Sequence, residues 1–179
     1  MAVELIEVVP YDPEWARLFE SERRLLERVL APWLEGGVHH IGSTAIAGIA
    51  AKPIVDMMAG VRDFEEARAA YAPLEAEDYV YEPHRPSIAH HFAKPPRFGL
   101  HLTEPGSDLW HERLAFRDAL RADPSLTAEY EALKLRLAQE HPADPRAYTN
   151  AKRAFVHRVL VDAGVAFGWR DEFSSEPRS

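Results

Sequence analysis

The sequence predicts an α/β (α+β) fold: a mixed, mostly antiparallel sheet flanked by helices, with a helical C-terminal half. Three observations lead there. Before Gly106 the apolar runs are of strand length and are separated by Gly- and Pro-containing loops. After Gly106 the apolar positions recur at helical spacing over 109–120, 124–140 and 145–162. Asp-Pro pairs at 12–13, 123–124 and 144–145 each supply an N-cap followed by a first-turn proline. No flexible linker divides the halves, so 1–172 reads as a single domain and 173–179 as a polar tail. Phe167 and Trp169, just before that tail, are candidates to dock on the body or on a partner.

In chain order, 5–9 reads as a strand. Asp12-Pro13 opens an amphipathic helix whose Trp15, Leu18, Phe19, Leu25, Leu26, Val29, Leu30 and Trp33 follow the helical period. Gly36-Gly37 is expected to end it. Residues 38–41 and 53–61 read as two strands joined by a Gly- and Ala-rich connector. Asp63-Phe64-Glu65-Glu66 resembles a capping box and predicts a helix through Tyr71, ended by Pro73. Three short strands come next, at 79–82, 89–93 and 98–102, and then the helices.

Composition narrows the function classes. The 179 residues suffice for a buried core. A formal net charge of -8 argues against a general nucleic-acid surface, though not against a small basic pocket. The chain has no cysteine, which removes disulfides, thiolate zinc sites and a cysteine nucleophile. No apolar run approaches the roughly 20 residues needed to span a bilayer. The start of the chain, with Glu4 and Glu7 and no basic segment, does not read as a secretory signal, so a cytoplasmic location and no membrane partner are expected.

The stretch His39-His40-Ile41-Gly42-Ser43-Thr44 through Lys52-Pro53-Ile54-Val55-Asp56 carries the chemistry. Gly42 permits a sharp bend or a close approach of backbone to ligand. Ser43 and Thr44 add hydroxyls beside backbone N–H groups that can cradle an anion. Asp56 lies inside an apolar strand, where a carboxylate needs a counter-charge or a metal. A phosphate cradle next to a metal-capable acid points to nucleotide or phosphate chemistry.

The run from His40 to Asp56 resembles the signature of the GrpB-like family, a branch of the nucleotidyltransferase superfamily with a polymerase-beta-like fold. Further matches come in order: Tyr11 to Trp15 with Phe19 and Glu22, Phe116-Arg117-Asp118, Tyr130 with Leu133-Lys134, and Tyr148 ahead of Lys152 and Phe155. The resemblance covers about 6–163. It implies a nucleotidyltransferase-like sheet, a nucleotide or phosphorylated small molecule as ligand, and Mg²⁺ or Mn²⁺ as cofactor. Members fused to dephospho-coenzyme A kinase point the same way.

The superfamily places two acids one residue apart on one strand face. Here Ile54 and Met58 share the face of Asp56, so the pair is broken. The expected metal ligands are therefore Asp56 and His101, which are also the expected catalytic residues; His101 is alternatively a proton acceptor or an ordinary hydrogen-bonded strand histidine. Gly42, Ser43, Thr44 and Lys52 are the expected phosphate-binding residues, with Arg117 as a phosphate clamp. Only one of His90 and His91 can face the side of His101. Lys94 and Arg97 read as a solvated loop or as phosphate contacts. Lys134 and Lys152 read alone as surface helix charges; the resemblance lets them converge on the same cleft. Two functions result: metal-dependent nucleotidyl transfer to an acceptor, or a non-catalytic nucleotide- or phosphate-binding module.

Overall fold

The computed structural model describes residues 5–165. Phe167, Trp169 and the 173–179 tail lie outside the described residues. The first helix, α1 (Glu14–Val29), opens where the Asp12 carboxylate accepts the Glu14 N–H at 2.9 Å. It ends at Val29, not at the Gly36-Gly37 pair. Those glycines lie inside β1 (Leu34–Ile41) at φ +79° and +84°, where the β1–β2 register shifts between Leu34 and Val38. They serve a bulge, the other use of glycines that adopt positive φ.

The remaining elements are β2 (Val55–Val61), α2 (Tyr71–Glu75), β3 (Val80–Glu82), β4 (His90–Lys94), β5 (Phe98–Thr103), α3 (Asp108–Ala122), α4 (Pro124–Glu140), α5 (Pro145–Ala151) and α6 (Arg153–Asp162). Residues 5–9 form no strand; Val9 makes one isolated bridge to Ala51, and Ile6 N–H donates to the Pro142 carbonyl at 2.7 Å. Asp63 does cap, accepting from Glu65 and Glu66 N–H, but the chain it caps is a 3-10 turn, Glu66–Ala70. Pro73 sits within α2 instead of ending a helix, at its third residue, where the N–H has no partner inside the helix in any case. The helix expected over 145–162 is broken at Lys152 into α5 and α6.

The sheet order is β1-β2-β5-β4-β3, with β2 and β5 parallel and the other neighbours antiparallel. Alternation sends Met57, Ala59, Leu100, Leu102 and Phe92 to one face, against Leu26, Leu30 and Trp15 of the α1 side, with Ala67, Ala70 and Leu74 completing that core. A second apolar cluster gathers Ile46 and Ile49 of the connector with Leu120, Tyr130, Phe155 and Val159. The connector is thus clasped by helices. Arg121 donates to the Ala45 carbonyl at 2.9 and 3.0 Å, Glu131 accepts the Ala50 N–H, and the buried Lys134 ammonium donates to the Ala50 carbonyl. Among the described residues no helix is long and apolar enough to cross a membrane.

Candidate anion-binding site

β1 ends at Ile41, opposite Asp56, and Gly42 turns the chain at φ +70° into the 3-10 turn Ser43–Ala45. Thr44 anchors this turn. Its hydroxyl donates to the Ile54 carbonyl at 3.1 Å and so accepts from His40 Nε2 at 2.9 Å. Burial, with Arg121 and Arg117 nearby, pushes His40 down to about 4. Ser43 lies against the Tyr130 hydroxyl.

Two glycines make room for Asp56. A Cβ at Gly42 would stand 2.9 Å from Asp56 Oδ2, and one at Gly99, its partner on β5, 2.6 Å from Oδ1. The carboxylate fills the space that side chains at these positions would take. Burial pushes Asp56 up to about 6, against the pull of Arg113, Lys152 and Lys52.

Two cavities meet at this carboxylate. The outer one, about 250 Å³, is lined by Ser43, Thr44, Lys52, Ile54, Asp56, Tyr148 and Lys152. The inner one, about 190 Å³, shares Ser43, Asp56 and Lys152 and adds Gly42, Glu112, Arg113, Thr149 and Arg153, with an apolar wall of Phe116, Tyr130, Val156 and Leu160. Lys52 and Lys152 both lie over the Tyr148 ring, at 4.8 and 4.3 Å from its centre. Arg113 Nε is sealed from solvent and makes no hydrogen bond.

Of the residues expected from sequence, Gly42, Ser43, Thr44, Lys52 and Asp56 come together here. His101 lies on the same sheet face as Asp56, because Met58 pairs with it, yet it lines neither of these cavities. Its ring stands 4.4 Å from that of His91, its Nδ1 makes no hydrogen bond, and burial beside His91, Arg113 and Arg85 holds it neutral, far below the usual range. Arg117 also lines neither cavity; it donates to the His40 carbonyl at 3.2 Å and to Asp118 at 2.7 Å. Lys94 pairs with Glu22 at 2.8 Å on the other face of the sheet. Sequence reasoning passes over Arg113, Arg153, Glu112 and the pocket-facing role of Tyr130 and Tyr148. One sign is in plain view: the chain has only four lysines, and Lys52, Lys134 and Lys152 all belong to the elements around this turn.

The described residues around the turn offer a divalent metal few oxygen ligands, Asp56 in the outer cavity and Asp56 with Glu112 in the inner one. Asp56 is the one carboxylate of the outer cavity and is already attended by two ammonium groups and a guanidinium. Among the described residues no three His, Asp or Glu side chains gather as a ligand set, and His101 lines neither cavity with Asp56. The charge gathered beside Asp56 is that of Arg113, Lys152 and Lys52.

The sequence and the fold have counterparts. A family model described as GrpB protein matches residues 5–162. The glutamate-rich protein GrpB of Alkalihalophilus pseudofirmus is 36% identical over 162 residues, covering 86% of this chain and 92% of that protein. The crystal structure of conserved protein GrpB from Enterococcus faecalis has a TM-score of 0.81 and 31% identity, covering 88% of this chain and 96% of that one. A dephospho-CoA kinase of Mycolicibacterium paratuberculosis is 28% identical over 204 aligned positions, covering 92% of this chain and 48% of that protein.

Proposed function

This chain belongs to the GrpB family, and from that premise we propose that it binds a phosphorylated small molecule of the nucleotide class in the paired cavities around Asp56. The carrying observation is the gathering of Lys52, Arg113, Lys152 and Arg153 around a single strand carboxylate in a chain of net charge -8. A buried guanidinium whose Nε makes no hydrogen bond carries a cost, and an anion relieves it. The phosphate is assigned to the basic outer cavity with Ser43, and the organic part to the inner one along Phe116, Tyr130 and Val156. The dephospho-CoA kinase relative, matched over about half its length, fits a ligand of this class.

Asp56 has a specific part in this reading. It keeps the cluster of cations assembled when no ligand is bound, and it opposes the phosphate when one is. Asp56→Asn is therefore expected to tighten binding by about 1–3 kcal/mol. A metal ligand would behave in the opposite way, and its replacement would weaken binding.

The test is calorimetric titration of wild type and Asp56→Asn with ATP and with inorganic phosphate, with and without Mg²⁺. Binding without Mg²⁺ that tightens in the variant supports the proposal. Binding that requires Mg²⁺ and collapses in the variant restores the metal site. Release of pyrophosphate from ATP in the same samples would add nucleotidyl transfer to binding. Absence of binding to either probe overturns the reading.

A further inference from the structure

We propose that Lys152 is a nucleophilic amine that forms an imine with a small phosphorylated aldehyde or ketone held in the two cavities. The inference rests on the anion-binding reading above, because the phosphate is what brings the carbonyl to the amine.

Lysine usage is the first observation. The chain carries 21 basic residues, of which four are lysines. Where it needs positive charge it almost always uses arginine, including Arg113 and Arg153 in this site. Arginine suits phosphate better, through its fixed fork of donors, but cannot lose its proton. A lysine retained among arginines keeps the one property that arginine lacks, a lone pair available near neutral pH.

Placement is the second. Lys152 falls at the break between α5 and α6 and is common to both cavities, with Ser43 and Asp56. The face of Tyr148 lies beneath its ammonium and that of Lys52. Burial, then Lys52 and Arg113, bring Lys152 down to about 8, with Asp56 opposing; Lys134 is brought to about 8 by burial and by Lys152. At pH 7 an amine of this kind is neutral in roughly one molecule in ten, about two orders of magnitude more often than an ordinary lysine.

The proposed step balances with the groups present. The neutral Lys152 nitrogen attacks the carbonyl carbon and the π pair moves to oxygen. The first N–H proton passes through the Asp56 carboxylate to that oxygen, forming a carbinolamine. The nitrogen lone pair then forms the double bond to carbon as hydroxide leaves, and the remaining N–H proton passes through Asp56 to the hydroxide, giving water. The products are an imine and one water molecule, and no oxidant or reductant is consumed.

The experiment uses the full chain with pyridoxal 5′-phosphate as probe, borohydride to trap the imine, and peptide mass mapping. The expected result is modification of Lys152 at least about tenfold faster than the model amine Nα-acetyl-lysine, slowed by inorganic phosphate. Lys94→Arg, on the other face of the sheet, should retain this labelling, while Lys152→Arg should abolish the fast phase. Unlabelled Lys152 in a protein that binds phosphate by calorimetry overturns the amine proposal alone. Fast labelling of Lys152 by both pyridoxal and its phosphate, without competition by inorganic phosphate, supports the amine and overturns the anion-binding reading. Faster labelling of Lys52 or Lys94 than of Lys152 overturns the proposal.

Discussion

On the α1 side of the sheet, Met57, Ala59, Leu100 and Leu102 are sealed at 0–1% exposure against Leu26 and Leu30. On the opposite side, the alternate residues of the same strands include Asp56, Met58, His91 and His101. One face gains stability from dry packing. The other holds a carboxylate, two neutral imidazoles and a guanidinium with an unsatisfied Nε, an arrangement that packing alone would never select. The difference teaches where to look: a face that carries avoidable penalties is the place to test for a ligand. Glu22 shows what a satisfied polar group looks like on the dry side. Its carboxylate accepts from Tyr79 at 2.9 Å and from Lys94 at 2.8 Å.

The sharpest way to break this contrast is to truncate each face and compare. Leu26→Ala on the dry face should lower unfolding stability by about 2–5 kcal/mol, read from urea midpoints. If it falls short of every substitution on the opposite face, the assignment of roles is wrong.

Acid acts on the buried histidines and on Asp56 with opposite signs. His40 and His91 are both held down at about 4, against about 6.5 when unfolded. Their contribution is fully present above pH 6.5 and is lost as pH falls toward 4, by up to roughly 3 kcal/mol each. Asp56 is raised to about 6, so the folded protein takes up its proton first and gains stability over pH 6 to 4, again up to roughly 3 kcal/mol. These three groups together should cost about 3 kcal/mol at pH 4 in denaturant melts, and His101 and His90, both also held below their usual range, add to that loss. Asp56→Asn should deepen that acid loss relative to its own value at pH 7.

Arg113→Met separates binding from stability. Phosphate affinity should fall by about 1.5–3 kcal/mol, the value of a charge-assisted hydrogen bond, while the unfolding midpoint stays level or rises because a buried charge has been removed. Gly42→Ala should destabilise by about 1–2 kcal/mol through its positive φ, and should also weaken phosphate binding by pushing the Asp56 carboxylate. Smallest of all, Arg17→Ala breaks a solvent-exposed pair with Glu14 and should stay within about 0.5 kcal/mol. An effect comparable to Arg113→Met there would mean that surface charge, not the cavity, sets the energetics.

The sheet and helices are legible in the sequence because their patterns are local. The Asp123-Pro124 and Asp144-Pro145 caps hold, with Asp123 accepting from Ser125 and Leu126 N–H and Asp144 from Ala147 N–H. The turn beside Asp56 is legible for the same reason, since Gly42, Ser43, Thr44 and Asp56 sit within one turn and one strand. What does not show is non-local. Arg113 is one of many arginines until α3 lays it over β2. Gly99 falls in a predicted strand, but only strand pairing sets it beside Asp56. For His101, strand alternation gives the correct face, but not the two-residue displacement from Asp56 that keeps it out of both cavities. The helix break at Lys152 has no proline or glycine to announce it.

The parallel pairing of β2 with β5 also bears on the order in which the molecule assembles. These strands lie roughly forty residues apart in sequence, whereas β4 and β5 are joined by a short turn and pair early. Closing the long loop carries the larger entropy penalty, so docking of β2 comes late on the folding route. Gly42 and Gly99 meet around Asp56 only after that step. An anion bound there is then missing from the transition state. Saturating phosphate should slow the unfolding limb of a chevron and leave the refolding limb where it was.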